Sequence, residues 1–323
     1  MQFIIDFTSF YYRSKFLLDS GRLTKLTLDC DVVSQFAGDY RETLHEEVKR
    51  IGENEFNIGY VYYPLREVEN LRKTLSKNFS EIKFHVCFDS KSVKKDKVSS
   101  YKSGRKTKMV GMDFVNIEIL KNIFSSIGYN VYKEEGYEAD DLIFTLKNKI
   151  RNVSGDEKIM IYSNDLDLAC LIDETCNLIF RRTKGKDPLT VINKDNYEEI
   201  LGDVFQCYMP FNTILLYKAI CGDRSDNIGG VRGLGKSYFE RVVNFAKDNF
   251  NLSEMAEIKN VRIILKALFY SDQRKLKEAQ ESLELLEMLN VDGLELGDKQ
   301  FDSKSAVEVF NKLRMKSLVN NIA

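Results

Sequence analysis

Ile159-Met160-Ile161-Tyr162-Ser163-Asn164-Asp165-Leu166-Asp167-Leu168 is a strand-sized apolar run that ends in two carboxylates. An acid at the C-terminal end of a strand projects into the crevice where open α/β sheets keep their sites. The same arrangement recurs outward along the chain: Asp6 follows Phe3-Ile4-Ile5, and Asp89 follows Phe84-His85-Val86-Cys87-Phe88. Apolar runs near 3–5, 82–88, 129–132, 159–162 and 178–180 alternate with helical patterns near 112–127, 138–150 and 194–201. Such alternation predicts an α/β fold, a mostly parallel sheet with helices on both faces. From about 206 onward the patterns 212–221, 235–248, 261–270 and 273–289 are helical, so a mostly α region is expected to follow. Helical pieces near 39–51 and 64–77 carry no motif, and residues 20–80 read as scaffold or insertion.

Nine carboxylates fall into this pattern: Asp6, Asp89, Glu138, Asp140, Asp141, Asp165, Asp167, Asp223 and Asp226. Converging acids repel one another by several kcal/mol unless cations sit between them. Oxygen ligands in that number suit Mg²⁺, with Mn²⁺ as a substitute. Each group also has a plainer reading. Glu138-Ala-Asp140-Asp141 could serve only as an acidic helix N-terminus, and Asp165 only as an N-cap. Two acids directly after a strand exceed what capping needs, and the groups together favour a two-metal phosphodiesterase.

Composition narrows the field further. At 323 residues, 43% hydrophobic and 30% charged, the chain has the make-up of a globular protein of one large or two modest domains. No apolar run is long enough to cross a membrane, and Met-Gln-Phe-Ile-Ile-Asp has no basic stretch of the secretory kind, so a cytoplasmic location is expected. Six cysteines show no Cys-x-x-Cys pair, and His45 and His85 are the only histidines. A zinc site, a disulfide frame and a histidine triad are therefore disfavoured.

The net charge of −1 conceals segregation, because residues 91–108 hold eight Lys or Arg against one Asp. A basic stretch beside candidate metal ligands suits a polyanion held while it is attacked. Its plain alternative is a solvated loop. Tyr101 beside Lys102 can stack on a base while the ammonium binds phosphate. Lys94, in the flanking run, is expected to offer only screened attraction to a nucleic-acid backbone. Gly222-Asp223-Arg-Ser-Asp226-Asn-Ile-Gly-Gly230-Val-Arg-Gly233-Leu-Gly235-Lys236 permits a hairpin opening a helix whose free N–H groups suit a phosphate. Its alternative is a glycine-rich turn between packed helices.

The ordered set Asp6, Phe88-Asp89, Tyr101-Lys102-x-x-Arg105, Glu138-Ala-Asp-Asp, Asp165-Leu-Asp-Leu and Gly-Asp223-x-Ser-Asp-Asn-Ile resembles the flap endonuclease/5′-3′ exonuclease family, the stand-alone bacteriophage type above all. The resemblance covers residues 1–15 and about 82–250. It implies a PIN-like domain over 1–205, with a helical arch near 91–110, and a helix–three-turn–helix DNA-binding region within 206–323. It implies one metal site from Asp6, Asp89, Glu138 and Asp140, and a second from Asp165, Asp167 and Asp223. Asp141 and Asp226 would bridge or act through water. Lys102 and Arg105 would contact the scissile phosphate, and Arg13 and Tyr101 the substrate. Gly230, Gly233, Gly235 and Lys236 would bind duplex backbone, in many members with K⁺. The chain departs from the family in its long Asp6–Asp89 interval, in Gly229 where proline is usual, and in Lys236, one place early.

The expected activity is Mg²⁺-dependent cleavage near 5′ ends or flap junctions of branched or 5′-ended double-stranded DNA, with RNA–DNA hybrids as a further substrate class. A monomer is expected, and replication proteins as partners are not legible. A PIN-type ribonuclease and a non-catalytic DNA-binding accessory protein are the alternatives. The first has no need of the glycine hairpin, and the second no need of intact acids.

Overall fold

The computed structural model describes residues 1–50, 55–94, 102, 111–181, 189–249 and 257–322. The chain divides into two compact units: Met1–Phe88 with Thr107–Lys133 and Glu295–Ala323, and Asp89–Lys106 with Glu134–Leu294. The division does not fall near 205, because the chain's last segment packs within the first unit. Asp302 N–H donates to the Ile127 carbonyl at 2.9 Å, and the Tyr62 and Ser317 hydroxyls are 2.6 Å apart. Gly128 permits this return: at φ +88° its own Cβ would lie 2.0 Å from the Gln300 carbonyl oxygen.

In the first unit β1 (Gln2–Asp6) pairs in parallel with β4 (Lys83–Cys87), and β4 with β5 (Asn130–Tyr132). Every residue of β1 is buried, as expected of a parallel strand covered on both faces. Phe7, Phe88, Phe124 and Tyr129 form the aromatic core, with ring centroids 4.9–5.4 Å apart for Phe7–Phe88, Phe7–Phe124 and Phe124–Tyr129. Burying each such ring contributes about 1.5–3 kcal/mol. His85 is structural, sandwiched between Gln2 Oε1 at 2.6 Å and the Tyr132 hydroxyl at 3.0 Å. Within 20–80 the expected helices span Arg41–Arg50 and Gly59–Leu75. Two short strands, β2 (Thr27–Asp29) and β3 (Glu55–Asn57), pair antiparallel there. Three residues are too few to leave a period-two signature, so sequence did not disclose them.

In the second unit β6 (Ile159–Tyr162) pairs in parallel with β7 (Cys176–Arg181), and β8 (Leu189–Ile192) runs antiparallel to β7. The strands are thus mostly parallel, as expected. Helix Ala139–Val153 precedes β6, and helices Ile214–Cys221, Lys236–Asn249, Ile258–Leu268 and Gln273–Leu286 follow. Tyr217 packs edge-on against Phe239 at 5.1 Å, fixing the helices on either side of the glycine hairpin. Among the described residues no helix is long and apolar enough to cross a membrane.

Asp173 anchors the turn between β6 and β7. It accepts from the N–H groups of Thr175 at 2.9 Å and Cys176 at 2.8 Å, and pairs with Lys147 at 2.8 Å and Arg151 at 3.1 Å. Burial alone would raise its pKa, but Lys147, the backbone N–H groups and Arg151 bring it down to about 2. A depressed carboxyl adds stability above its unfolded pKa and loses it as pH falls through the folded one. Asp173→Asn should therefore cost about 1 kcal/mol at neutral pH, after allowance for partial exposure. The difference from wild type should shrink between pH 4 and 2, followed by urea unfolding across pH. A pH-independent difference would show that the hydrogen bonds alone carry the effect.

Candidate active site

The second unit gathers most of the expected acids. Asp165 stands just beyond β6, where its carboxylate caps the 3₁₀ turn Leu166–Leu171 by accepting from Asp167 N–H at 2.9 Å. Its own N–H donates to Ser163 Oγ at 2.9 Å. This local geometry turns Asp165 and Asp167 the same way, and Asp226 joins them: one oxygen of each lies within 4.8 Å of the others. Opposite oxygens around a cation bound at 2.0–2.1 Å are about 4.2 Å apart, so slight closure would let the trio share one ion. The donors are all carboxylate oxygens, which fits Mg²⁺ or Mn²⁺ better than a softer metal. Among the described residues this is the one cation-sized cluster of acids. Asp226, rather than Asp223, completes the group with Asp165 and Asp167.

Three lysines alternate with the carboxylates. Lys218 contacts Asp167 and lies 2.5 Å from Asp223. Lys102 is 2.8 Å from Glu138 and 3.8 Å from Asp226. Lys94 is 3.8 Å from Glu138 and 3.6 Å from Asp141. All three are largely buried, so each ammonium compensates acids that would otherwise be costly to bury. Burial alone would push the Asp223 carboxyl up, but the Lys218 ammonium and the Ser225 hydrogen bonds hold it below the usual carboxylate range.

The expectation for Lys94 is corrected here. Its side chain is 7% exposed and faces two acids, so it is no member of a solvated rim. Nothing in the charge run sets it apart from its neighbours. Lys218 is a residue that sequence reasoning missed, although a signal existed. It is the sole charged residue in the apolar helix Ile214-Leu-Leu-Tyr-Lys-Ala-Ile-Cys, five places before Asp223.

Lys102 lies against two of the carboxylates, Glu138 and Asp226. Its backbone is left-handed at φ 52°, and its N–H donates to the Asp226 carbonyl at 2.9 Å. A non-glycine residue in that region carries about 1 kcal/mol or more of strain, held by the surrounding contacts. Tyr101 and Arg105, like most of the 91–110 segment expected to form an arch, lie outside the described residues.

The remaining acids have visible local roles. Asp89 accepts from Ala139 N–H at 2.7 Å, tying it to the first turn of helix Ala139–Val153. Asp141 is fully buried and accepts from the N–H groups of Glu138 at 3.0 Å and Leu289 at 2.7 Å. It is therefore a helix-capping and tethering residue, whatever else it does. Asp140 is half-buried in the same first turn. In the first unit, Asp6 ends β1 with 6% exposure, and Arg13 pairs with Glu67 at 2.9 Å.

The glycine hairpin joins helices Ile214–Cys221 and Lys236–Asn249. Asp223 and Ile228 exchange backbone hydrogen bonds at 2.9 and 2.8 Å. A Cβ on Gly230 would lie 2.4 Å from Gly222 nitrogen, so only glycine permits this closure. Gly230 N–H donates to Ser282 Oγ at 3.1 Å and Arg232 N–H to Glu278 at 2.9 Å. Gly233, Gly235 and Lys236 are exposed at the mouth of the second helix.

Comparison with known proteins gives the family. The family model for the 5′-3′ exonuclease N-terminal resolvase-like domain matches residues 2–202. The chain belongs to the 5′-3′ exonuclease family of nucleases, which are phosphodiester hydrolases by class. The 5′-3′ exonuclease of Mycoplasma pneumoniae is 26% identical over 247 residues, 74% of this chain and 79% of that protein. DNA polymerase I of Caldicellulosiruptor bescii is 26% identical over 251 residues, 73% of this chain but 27% of that protein. The chain thus spans about a quarter of the polymerase's length. The flap endonuclease of bacteriophage T5, crystallised with DNA and metal ions, superposes with a TM-score of 0.50 at 15% identity, over 99% of this chain and 96% of that one. That likeness shows the α/β fold alone.

Proposed function

We propose that the chain is a Mg²⁺-dependent, structure-specific 5′-nuclease that hydrolyses phosphodiesters near 5′ ends or flap junctions in DNA. It acts as a cytoplasmic monomer in primer or flap removal during phage replication, with RNA in RNA–DNA hybrids as a second substrate. The glycine hairpin between helices Ile214–Cys221 and Lys236–Asn249 holds the duplex backbone, with K⁺ bound there, while Asp226 at its base serves cleavage with Asp165 and Asp167. The observation that carries this reading is the cation-sized trio Asp165, Asp167 and Asp226 with the Lys102 ammonium beside it.

The trio would hold a divalent ion, Mg²⁺ or Mn²⁺, which when bound supplies an activated water and stabilises the leaving oxygen. The chain's own residues do the rest. Lys102 offers its ammonium to the phosphate, where charge grows as the bond breaks. Lys94 and Lys218 hold the flanking carboxylates in place and lower the repulsion an incoming phosphate meets. The exposed start of helix Lys236–Asn249, with Gly233 and Gly235 before it, suits backbone phosphates, which position a substrate without reading its sequence.

Incubation with a 5′-labelled flap DNA and, separately, a single-stranded RNA, with Mg²⁺ or with chelator, tests the reading. Mg²⁺-dependent cuts near the flap junction are expected. Preferential cleavage of the RNA would favour a PIN-type ribonuclease, and tight DNA binding without any cleavage an accessory protein.

A further inference from the structure

We propose that Lys218 determines which divalent ion the carboxylate trio accepts, by occupying one oxygen of Asp167 so that the side chain presents its other oxygen to the ion more readily than both together. This rests on the reading of Asp165, Asp167 and Asp226 as a cation site.

The ammonium contacts Asp167 Oδ1 and Asp223 Oδ2, and its side chain is 8% exposed. Asp223 is in turn pinned, its Oδ1 accepting from Ser225 N–H at 2.7 Å and from Ser225 Oγ at 2.5 Å. Lys218 therefore cannot swing away without depriving the half-buried Asp223 of its ammonium partner. Asp167 is the member shared between this clamp and the trio. With the ammonium on Oδ1, Asp167 presents its other oxygen to a cation more readily than both together. Mg²⁺ accepts that, since it takes six single oxygens in an octahedron at close range. Ca²⁺ takes six to eight at longer range and favours bidentate carboxylates, so the clamp handicaps it. Nothing else in the apolar helix Ile214–Cys221 calls for a charge at this position.

Removing the clamp should favour the larger ion. In calorimetric titrations of the full chain without DNA, Lys218→Met should tighten Ca²⁺ binding by at least about tenfold and Mg²⁺ binding by less than about threefold. Lys218→Arg, which keeps the charge and both contacts, should retain the wild-type ratio. Should Lys218→Met unfold because Asp223 loses its ammonium partner, Lys218→Met with Asp223→Asn removes that acid's charge and leaves the trio intact, and the same shift is expected. An unchanged Ca²⁺-to-Mg²⁺ ratio in the folded variants would overturn the role of Lys218 while leaving the cation site standing. Wild-type titrations that Asp165→Asn and Asp226→Asn leave unaltered would overturn the cation site itself, and this inference with it.

Discussion

Asp165→Asn combined with Asp226→Asn is expected to slow Mg²⁺-dependent cleavage by at least about a thousandfold, roughly 4 kcal/mol of barrier. Both changes conserve shape. An asparagine at 165 still accepts from Asp167 N–H, because asparagine caps helices as well as aspartate does. The fold should therefore survive, and its melting temperature should hold or rise, since two of three like charges within 4.8 Å of one another are removed. Affinity for flap DNA in chelator should hold or tighten for the same reason, as less negative charge faces the phosphates. Cleavage within tenfold of wild type by the purified double variant would sink the trio as the catalytic cation site. Alanine at both Asp140 and Asp141 is a poorer test. Asp141 is fully buried and satisfies the Glu138 and Leu289 N–H groups, so its loss orphans two donors at about 1–3 kcal/mol each. Lost activity would then report lost structure as readily as lost metal.

Much of the fold was legible because its signals are local. Uninterrupted apolar runs at 3–5, 84–88 and 159–162 announced buried parallel strands, and β1, β4 and β6 cover them. Helical periodicity placed Ala139–Val153 and the four helices from Ile214 to Leu286 within a few residues. What escaped is non-local. The return of residues 295–323 into the first unit depends on contacts such as Asp302 to Ile127 across a long interval, and no composition shift marks it. At the site, acids could be placed at strand ends from sequence, yet their partners could not. Asp226 joins Asp165 and Asp167 only because the Asp223–Ile228 hairpin turns it there. Charge counting took Lys94 for a rim residue, since a run of like residues gives no hint of which member turns inward.

Lys102 and Lys94 now make a sharper pair than two surface charges would. Lys102→Ala should slow single-turnover cleavage at saturating enzyme by at least about a hundredfold, because an ammonium aimed at developing charge is worth several kcal/mol. Its position supports this: it reaches Glu138 and Asp226 at once and is locked by its own N–H on the Asp226 carbonyl. Lys94 faces Glu138 and Asp141 at 3.8 and 3.6 Å, on the side of the acids that caps helix Ala139–Val153. Lys94→Ala takes one ammonium from two buried carboxylates, which keep Lys102 and two backbone N–H donors, so it should cost about 1–3 kcal/mol of stability and lower the melting temperature by about 3 °C or more. Per folded molecule its cleavage rate should stay within about tenfold of wild type, since the chemistry it supports is indirect. Circular-dichroism melts beside single-turnover rates, corrected for the folded fraction, separate the two. Should both variants fold normally and lose rate equally, the lysines form one undifferentiated electrostatic field, and Lys102 has no special claim on the scissile phosphate. Should Lys94→Ala melt early while Lys102→Ala melts late but cuts slowly, the alternating charges divide by task, the inner ammonium holding the acids and the outer one meeting the substrate.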